Sequence, residues 1–133
     1  MEKPFMSWSK EYEIGVPEID SQHMKIVDYI NELYIAFMNK THVEKLSQII
    51  DGLKNYSQQH FTYEEMLFQQ YSYALTKEHK KEHDLFIEKI NEFSDSYKRN
   101  PNTLTFQVLY FLQKWLIDHI AQSDKKYVAQ LFK

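Results

Sequence analysis

The 133-residue chain has no cysteine, which excludes disulfides, thiolate metal sites, iron–sulfur clusters and cysteine nucleophiles together. Any metal it binds must be held by nitrogen and oxygen. Two glycines and three prolines are too few for a loop-rich β protein. No apolar run approaches the ~20 residues that span a bilayer, and the opening MEKPFMSW lacks the hydrophobic stretch of a signal peptide. The formal charge of -3 is mild, which argues against a nucleic-acid surface or a polybasic membrane patch. A cytoplasmic protein with neither nucleic acid nor membrane as partner is expected. Aromatic residues are abundant instead, at 16%, with ten tyrosines and nine phenylalanines. They supply a bulky core, and the length suits one domain over residues 1–133.

Residues 1–18, with Pro4, Gly15 and Pro17, read as an extended arm. From Ile19 the apolar residues Ile26, Ile30, Leu33 and Phe37 recur at helical spacing, which predicts a helix over about 19–38. Thr41-His42-Val43-Glu44 has the form of a capping box opening a second helix over about 42–70. Its stripe is Leu46, Ile49, Leu53, Tyr56, His60, Glu64 and Leu67. Thr76 is the expected cap of a third helix over about 76–98, with stripe His79, His83, Phe86, Ile90, Phe93 and Tyr97. The Arg99-Asn100-Pro101-Asn102 turn precedes a fourth helix over about 103–121, with Leu104, Val108, Phe111, Leu112, Trp115 and His119. The tail beyond Asp124 is expected to add one or two helical turns. The fold class is all-α, an up-down-up-down antiparallel four-helix bundle with an N-terminal arm and a short C-terminal helical tail.

In that topology one end of the bundle gathers the start of helix one, the end of helix two, the start of helix three and the end of helix four. His23, His60, His79, His83 and His119 all fall there, together with Glu64 and Asp124. Each histidine lies on an apolar stripe, where an unpaired polar ring is costly to bury. His60 with Glu64, and His79 with His83, are four apart and share a helix face. Asp124 follows His119 by five, out of phase for a regular helix, so a widened turn or a helix end is expected between them. His42 has no matching partner and reads as a surface residue.

Seven donors suit two ions better than one. If both carboxylates bridge and a solvent-derived group adds a third bridge, one position of two octahedral ions stays open for a small ligand. Imidazole and carboxylate also serve zinc or manganese.

The ordered set of motifs resembles the bacterial hemerythrins over essentially the full length. The residues that carry the likeness are Trp8, Tyr12 and Gly15, Ile19-Asp20-Ser21-Gln22-His23, and His60-Phe61-Thr62-Tyr63-Glu64. His79-Lys80-Lys81-Glu82-His83 and His119-Ile120-Ala121-Gln122-Ser123-Asp124 complete them. The resemblance implies two iron ions (Fe2+/Fe3+) with an oxo or hydroxo bridge. His79, His83 and His119 would hold a six-coordinate iron, and His23 and His60 a five-coordinate iron that takes dioxygen. Glu64 and Asp124 would bridge the two. It implies reversible dioxygen binding for storage, delivery or sensing, not catalysis, with weak oxidase or peroxidase side activity allowed. A separate protein partner is implied where the role is delivery or signalling. Spacing around the ligands nominates Ile26, Phe61, Trp115, Leu116 and Ile120 as walls of a dry oxygen pocket. Tyr127, one turn past Asp124, is placed to support a ligand or to pack.

Two other readings fit parts of the pattern. His79-Lys80-Lys81-Glu82-His83 matches the H-x-x-E-H zinc protease motif, but that chemistry needs a larger fold, and lysine- and glutamate-rich stretches are usually solvated faces. A di-iron oxidase, peroxidase or iron-handling protein could use the same donors. Ferritin-like enzymes, however, carry Glu-x-x-His motifs, and no histidine here has glutamate three residues before it.

Overall fold

Pro17 is the first residue of α1 (Pro17–Met38), so the helix starts two residues before the expected boundary. Its fixed φ suits the first turn, where a backbone N–H has no intrahelical partner anyway. Glu18 and Asp20 place negative charge at the positive end of the helix. The computed structural model describes residues 5–40, 43–100, 102 and 106–131. Within them follow α2 (Val43–Tyr71), α3 (Thr76–Arg99), α4 (Phe106–Asp118), a π-helical turn (His119–Asp124) and α5 (Lys125–Leu131). Among the described residues there is no strand, and no helix is long and apolar enough to cross a membrane. The expected all-α bundle with a helical tail is therefore the fold. α2 packs on α1 and on α3, and α1 packs on α4.

The buried face of α2 is Leu46, Ile49, Ile50, Leu53, Ser57, His60, Phe61, Glu64 and Phe68. Tyr56 and Leu67, expected on that face, are half-buried at its margin. The cause is the drift of a 3.6-residue helix against any fixed 3–4 spacing over 29 residues. Gly52 faces α1 at a close approach. A Cβ there would lie 2.9 Å from the Tyr29 ring.

The helix ends carry three further corrections. Thr76 is the first residue of α3 and Leu75 is its N-cap. The Thr76 hydroxyl donates to the Tyr73 carbonyl at 2.6 Å, so it ties the preceding turn and does not cap the helix. The fourth helix does not stop at 121 but runs on through the π turn into α5. The arm is not extended throughout, since Lys10–Tyr12 form a 3-10 turn. The capping box at Thr41, the surface reading of His42 and the stripe residue Leu104 lie outside the described residues.

The arm is tied to α1 at two points. Met6 N–H donates to Asn31 Oδ1 at 2.8 Å, and Asn31 Nδ2 donates back to the Met6 carbonyl at 2.7 Å. The Asp20 carboxylate accepts the Ile14 and Gly15 N–H groups at 2.8 and 3.2 Å. Gly15 has φ 87, a left-handed conformation that glycine adopts without steric cost. Trp8 meets Tyr12 edge to face, and both pack against the core.

Candidate metal centre

The π turn decides whether His119 and Asp124 can meet. At 3.6 residues per turn, positions five apart point about 140° away from each other. The wider turn, in which the Lys125 N–H reaches the Ile120 carbonyl, brings them to one face. His119 Nε2 then lies 3.1 Å from Asp124 Oδ1.

All seven expected donors converge in the core, and each is 3% exposed or less. Each of the five imidazoles turns Nε2 toward a carboxylate. Asp124 Oδ2 is 3.0 Å from His23 Nε2, and its Oδ1 is 3.1 Å from His79 Nε2. Glu64 Oε1 is 3.3 Å from His60 Nε2 and 3.2 Å from His83 Nε2. Two groups of mutually close donors result. One is Glu64, His79, His83 and His119, and the other is His23, His60, Glu64 and Asp124. Both carboxylates thus lie between a three-histidine side and a two-histidine side.

These donors suit a cation better than they suit one another. His23 Nε2, His60 Nε2, His79 Nε2, Glu64 Oε1 and both Asp124 oxygens are sealed from solvent without a hydrogen-bond partner. His83 Nε2 and His119 Nε2 face each other at 3.2 Å. Buried polar atoms left unpaired cost about 1–3 kcal/mol each, and metal ions shared among them remove that cost. Donors that are all nitrogen and oxygen match iron, zinc or manganese.

Without an ion, the charges balance within the protein. Burial pulls the His119 imidazole down, but Asp124 and Glu82 outweigh it and lift the ring to about 10. Burial raises the Asp124 and Glu64 carboxyls, yet the surrounding imidazoles hold both below the usual carboxylate range. His83 is raised, because Glu64 and Glu65 overcome its burial. His60 is lowered, because there burial prevails over Glu64.

Tyr127 is fully buried and donates to Glu64 Oε2 at 2.6 Å, which fixes the carboxylate from behind. Burial first, and then Glu64 and Asp124, push its phenol far up, so it remains a donor. Of the nominated pocket residues, Phe61 stacks on His83 at 3.9 Å and Trp115 on His119 at 4.5 Å. Ile26, Leu116 and Ile120 are buried in the same core. A broad surface groove between α2 and α3 reaches Phe61 and His83, with Glu65, Asp84, Ile87 and Glu88 along it.

Four residues have parts in the site that spacing did not assign. His60 Nδ1 donates to Gln22 Oε1, His83 Nδ1 to Glu65 Oε2 at 3.0 Å, and His119 Nδ1 to Glu82 Oε1 at 2.9 Å. Ser123 Oγ donates to Glu82 at 2.6 and 2.8 Å. Glu82 is thereby engaged, unlike the free base a zinc protease needs. The available signal was position, since Gln22, Glu82 and Ser123 all fall inside the ligand-bearing motifs.

The chain matches the Hemerythrin HHE cation binding domain over residues 14–131. It is 32% identical to a bacteriohemerythrin of Pseudomonas aeruginosa over 121 residues, 91% of this chain and 78% of that protein. A bacteriohemerythrin of Clostridium acetobutylicum is 31% identical over 91% of this chain and 97% of its own. Among solved structures, wild-type hemerythrin superposes with a TM-score of 0.86 at 27% identity, covering 97% of this chain and 99% of that one. With its buried histidine–carboxylate cluster on a four-helix bundle, this chain belongs to the hemerythrin family.

Proposed function

We propose that the protein binds dioxygen reversibly at a non-haem di-iron site, in storage, delivery or sensing. The observation that carries this reading is the unequal division of one sealed donor set. Three imidazoles stand on one side and two on the other, with Glu64 and Asp124 between. His79, His83 and His119 would hold one iron, His23 and His60 the other, and the two carboxylates both. When bound, the irons would supply the electrons that dioxygen binding requires.

The chain's own part is to position and to shield. Glu82, Glu65 and Gln22 fix the rings of three ligands, and Tyr127 fixes Glu64. Phe61 and Trp115 lie flat on His83 and His119. With the buried Ile26, Leu116 and Ile120 they would make the dry wall that keeps water and stray protons out. In a dry site a charged species cannot leave cheaply, which favours release of neutral dioxygen.

The test is an anaerobic ferrous preparation exposed to oxygen and then evacuated, followed by optical spectroscopy. Charge-transfer bands that rise with oxygen and vanish on evacuation are expected. Permanent conversion to the ferric form, with oxidation of an added substrate, would replace oxygen carriage by an oxidase or peroxidase reading.

A further inference from the structure

Outside the ligand set, the two sides of the centre differ in charge. Behind the three-histidine side stand two carboxylates. Glu65 accepts from His83 Nδ1, and Glu82 accepts from His119 Nδ1. Glu82 is held by the Ser123 hydroxyl on both of its oxygens. Glu65 is partly balanced by Lys80 at 3.8 Å. Behind the two-histidine side stands a neutral amide, Gln22, on His60 Nδ1. The remaining ring there, His23, is fully buried and its Nδ1 has no hydrogen-bond partner. One side therefore carries anions behind its imidazoles, and the other does not.

An imidazole whose Nδ1–H is held by a carboxylate is a more basic ligand than one held by an amide. A more basic ligand favours the more highly charged metal. The effect is large in a buried site, where charges are poorly screened. We infer that Glu82 and Glu65, against Gln22, set the redox preference of the two metal positions apart. The carboxylates stabilise ferric iron at His79, His83 and His119. The neutral amide keeps iron at His23 and His60 easier to hold in the ferrous form. All three are positioning residues, since each acts through an imidazole. Glutamine and glutamate have nearly the same shape, so exchanging them at position 22 changes charge with little change in volume. The inference rests on the di-iron reading above.

The experiment compares iron content, reduction potential and autoxidation rate in the whole protein, in Gln22→Glu and in Glu82→Gln. Glu92→Gln, at an exposed residue paired with Lys89, is the charge control. Gln22→Glu is expected to retain two irons per chain and to lower the potential by about 59 mV, which is tenfold for one electron. Its autoxidation should quicken by roughly tenfold, the low end of such outer-contact effects. Glu82→Gln should raise the potential by a similar amount, and Glu92→Gln should leave it unchanged. If Gln22→Glu fails to load, the direction of the Glu82→Gln shift decides the matter. Two irons retained with no shift in either variant, or shifts of the same sign in both, overturns the inference and leaves these residues structural. A wild-type protein that never holds two irons overturns the di-iron reading itself, and the inference with it.

Discussion

Tyr127 and Glu64 form a buried pair from distant parts of the chain, a phenol hydroxyl 2.6 Å from a carboxylate oxygen. A hydrogen bond to a charged group contributes about 1.5–3 kcal/mol. Tyr127→Phe keeps the ring and removes the donor, so the metal-free protein should lose about that much stability. Denaturant titration after chelation measures it, and an unchanged unfolding midpoint would remove Tyr127 from the support of Glu64. His60→Ala should abolish loading of two irons per chain, measured by metal analysis; two tightly held irons in this variant would refute the ligand assignment. The five histidines and Glu64 were legible in the sequence because each is a polar residue on an otherwise apolar stripe, where periodicity makes it conspicuous; Asp124, out of phase with His119, was legible only through the widened turn expected between them. Gln22, Glu65 and Glu82 were not. Each adjoins a ligand on its own helix but serves a ligand on another: Gln22 serves His60, Glu65 serves His83 and Glu82 serves His119. Periodicity sorts the residues of one helix into faces and contains nothing about which neighbour a margin residue meets.

At the scale of the element, the π turn from His119 to Asp124 is the feature on which the centre depends. A regular α-helix would leave Asp124 facing away from His119, and Tyr127 would rotate with it. Inserting an alanine after Gln122, an exposed residue inside the turn, should turn Asp124 and Tyr127 a further ~100° about the helix axis and withdraw both side chains. Two-iron loading is then expected to fail while helical circular dichroism is retained, whereas deleting Gln122 leaves His119 and Asp124 four apart, on one face of a regular helix, and should preserve loading. A lengthened chain that still binds two irons would show that the phase set by the turn is dispensable. The five-residue spacing made this element readable in advance, since no regular helix accommodates it. Other boundaries were less legible because local side-chain bonding competes with capping. Thr76 resembles an N-cap in sequence, but its hydroxyl bonds back to Tyr73 and the helix starts at Thr76 itself. Pro17 resembles the end of an arm, yet proline fits the first helical turn equally well. On α2, a fixed spacing chose Tyr56 and Leu67 where the drifting stripe buries Ser57 and Phe68.

At the scale of the whole molecule, the described residues include two buried carboxylates and five buried imidazoles, and their charges respond to metal and to pH in opposite ways. In the metal-free protein, His119 is raised to about 10, and His83 is raised as well. A histidine raised by folding adds stability that is complete below its unfolded value of about 6.5 and is lost as pH climbs through the folded value. His60 is lowered and has the opposite sign, losing stability as pH falls below about 6.5. The two raised rings should outweigh it. Glu64 and Asp124 are held low, so their contribution is present above their usual values near about 4 and fades below. The metal-free protein should therefore be most stable between about pH 4 and 6.5 and should weaken toward about pH 10. Metal reverses this trend, because imidazoles must shed protons to bind it. The stability that metal adds should grow over the same interval and collapse in acid as protons displace it. Thermal unfolding of chelated and loaded protein at about pH 6 and about pH 9 separates the two effects. The chelated melting temperature should be higher at the lower pH, while the gap between loaded and chelated protein widens at the higher one. A chelated protein that melts higher at about pH 9 would mean that the imidazolium–carboxylate pairs do not sustain the empty site.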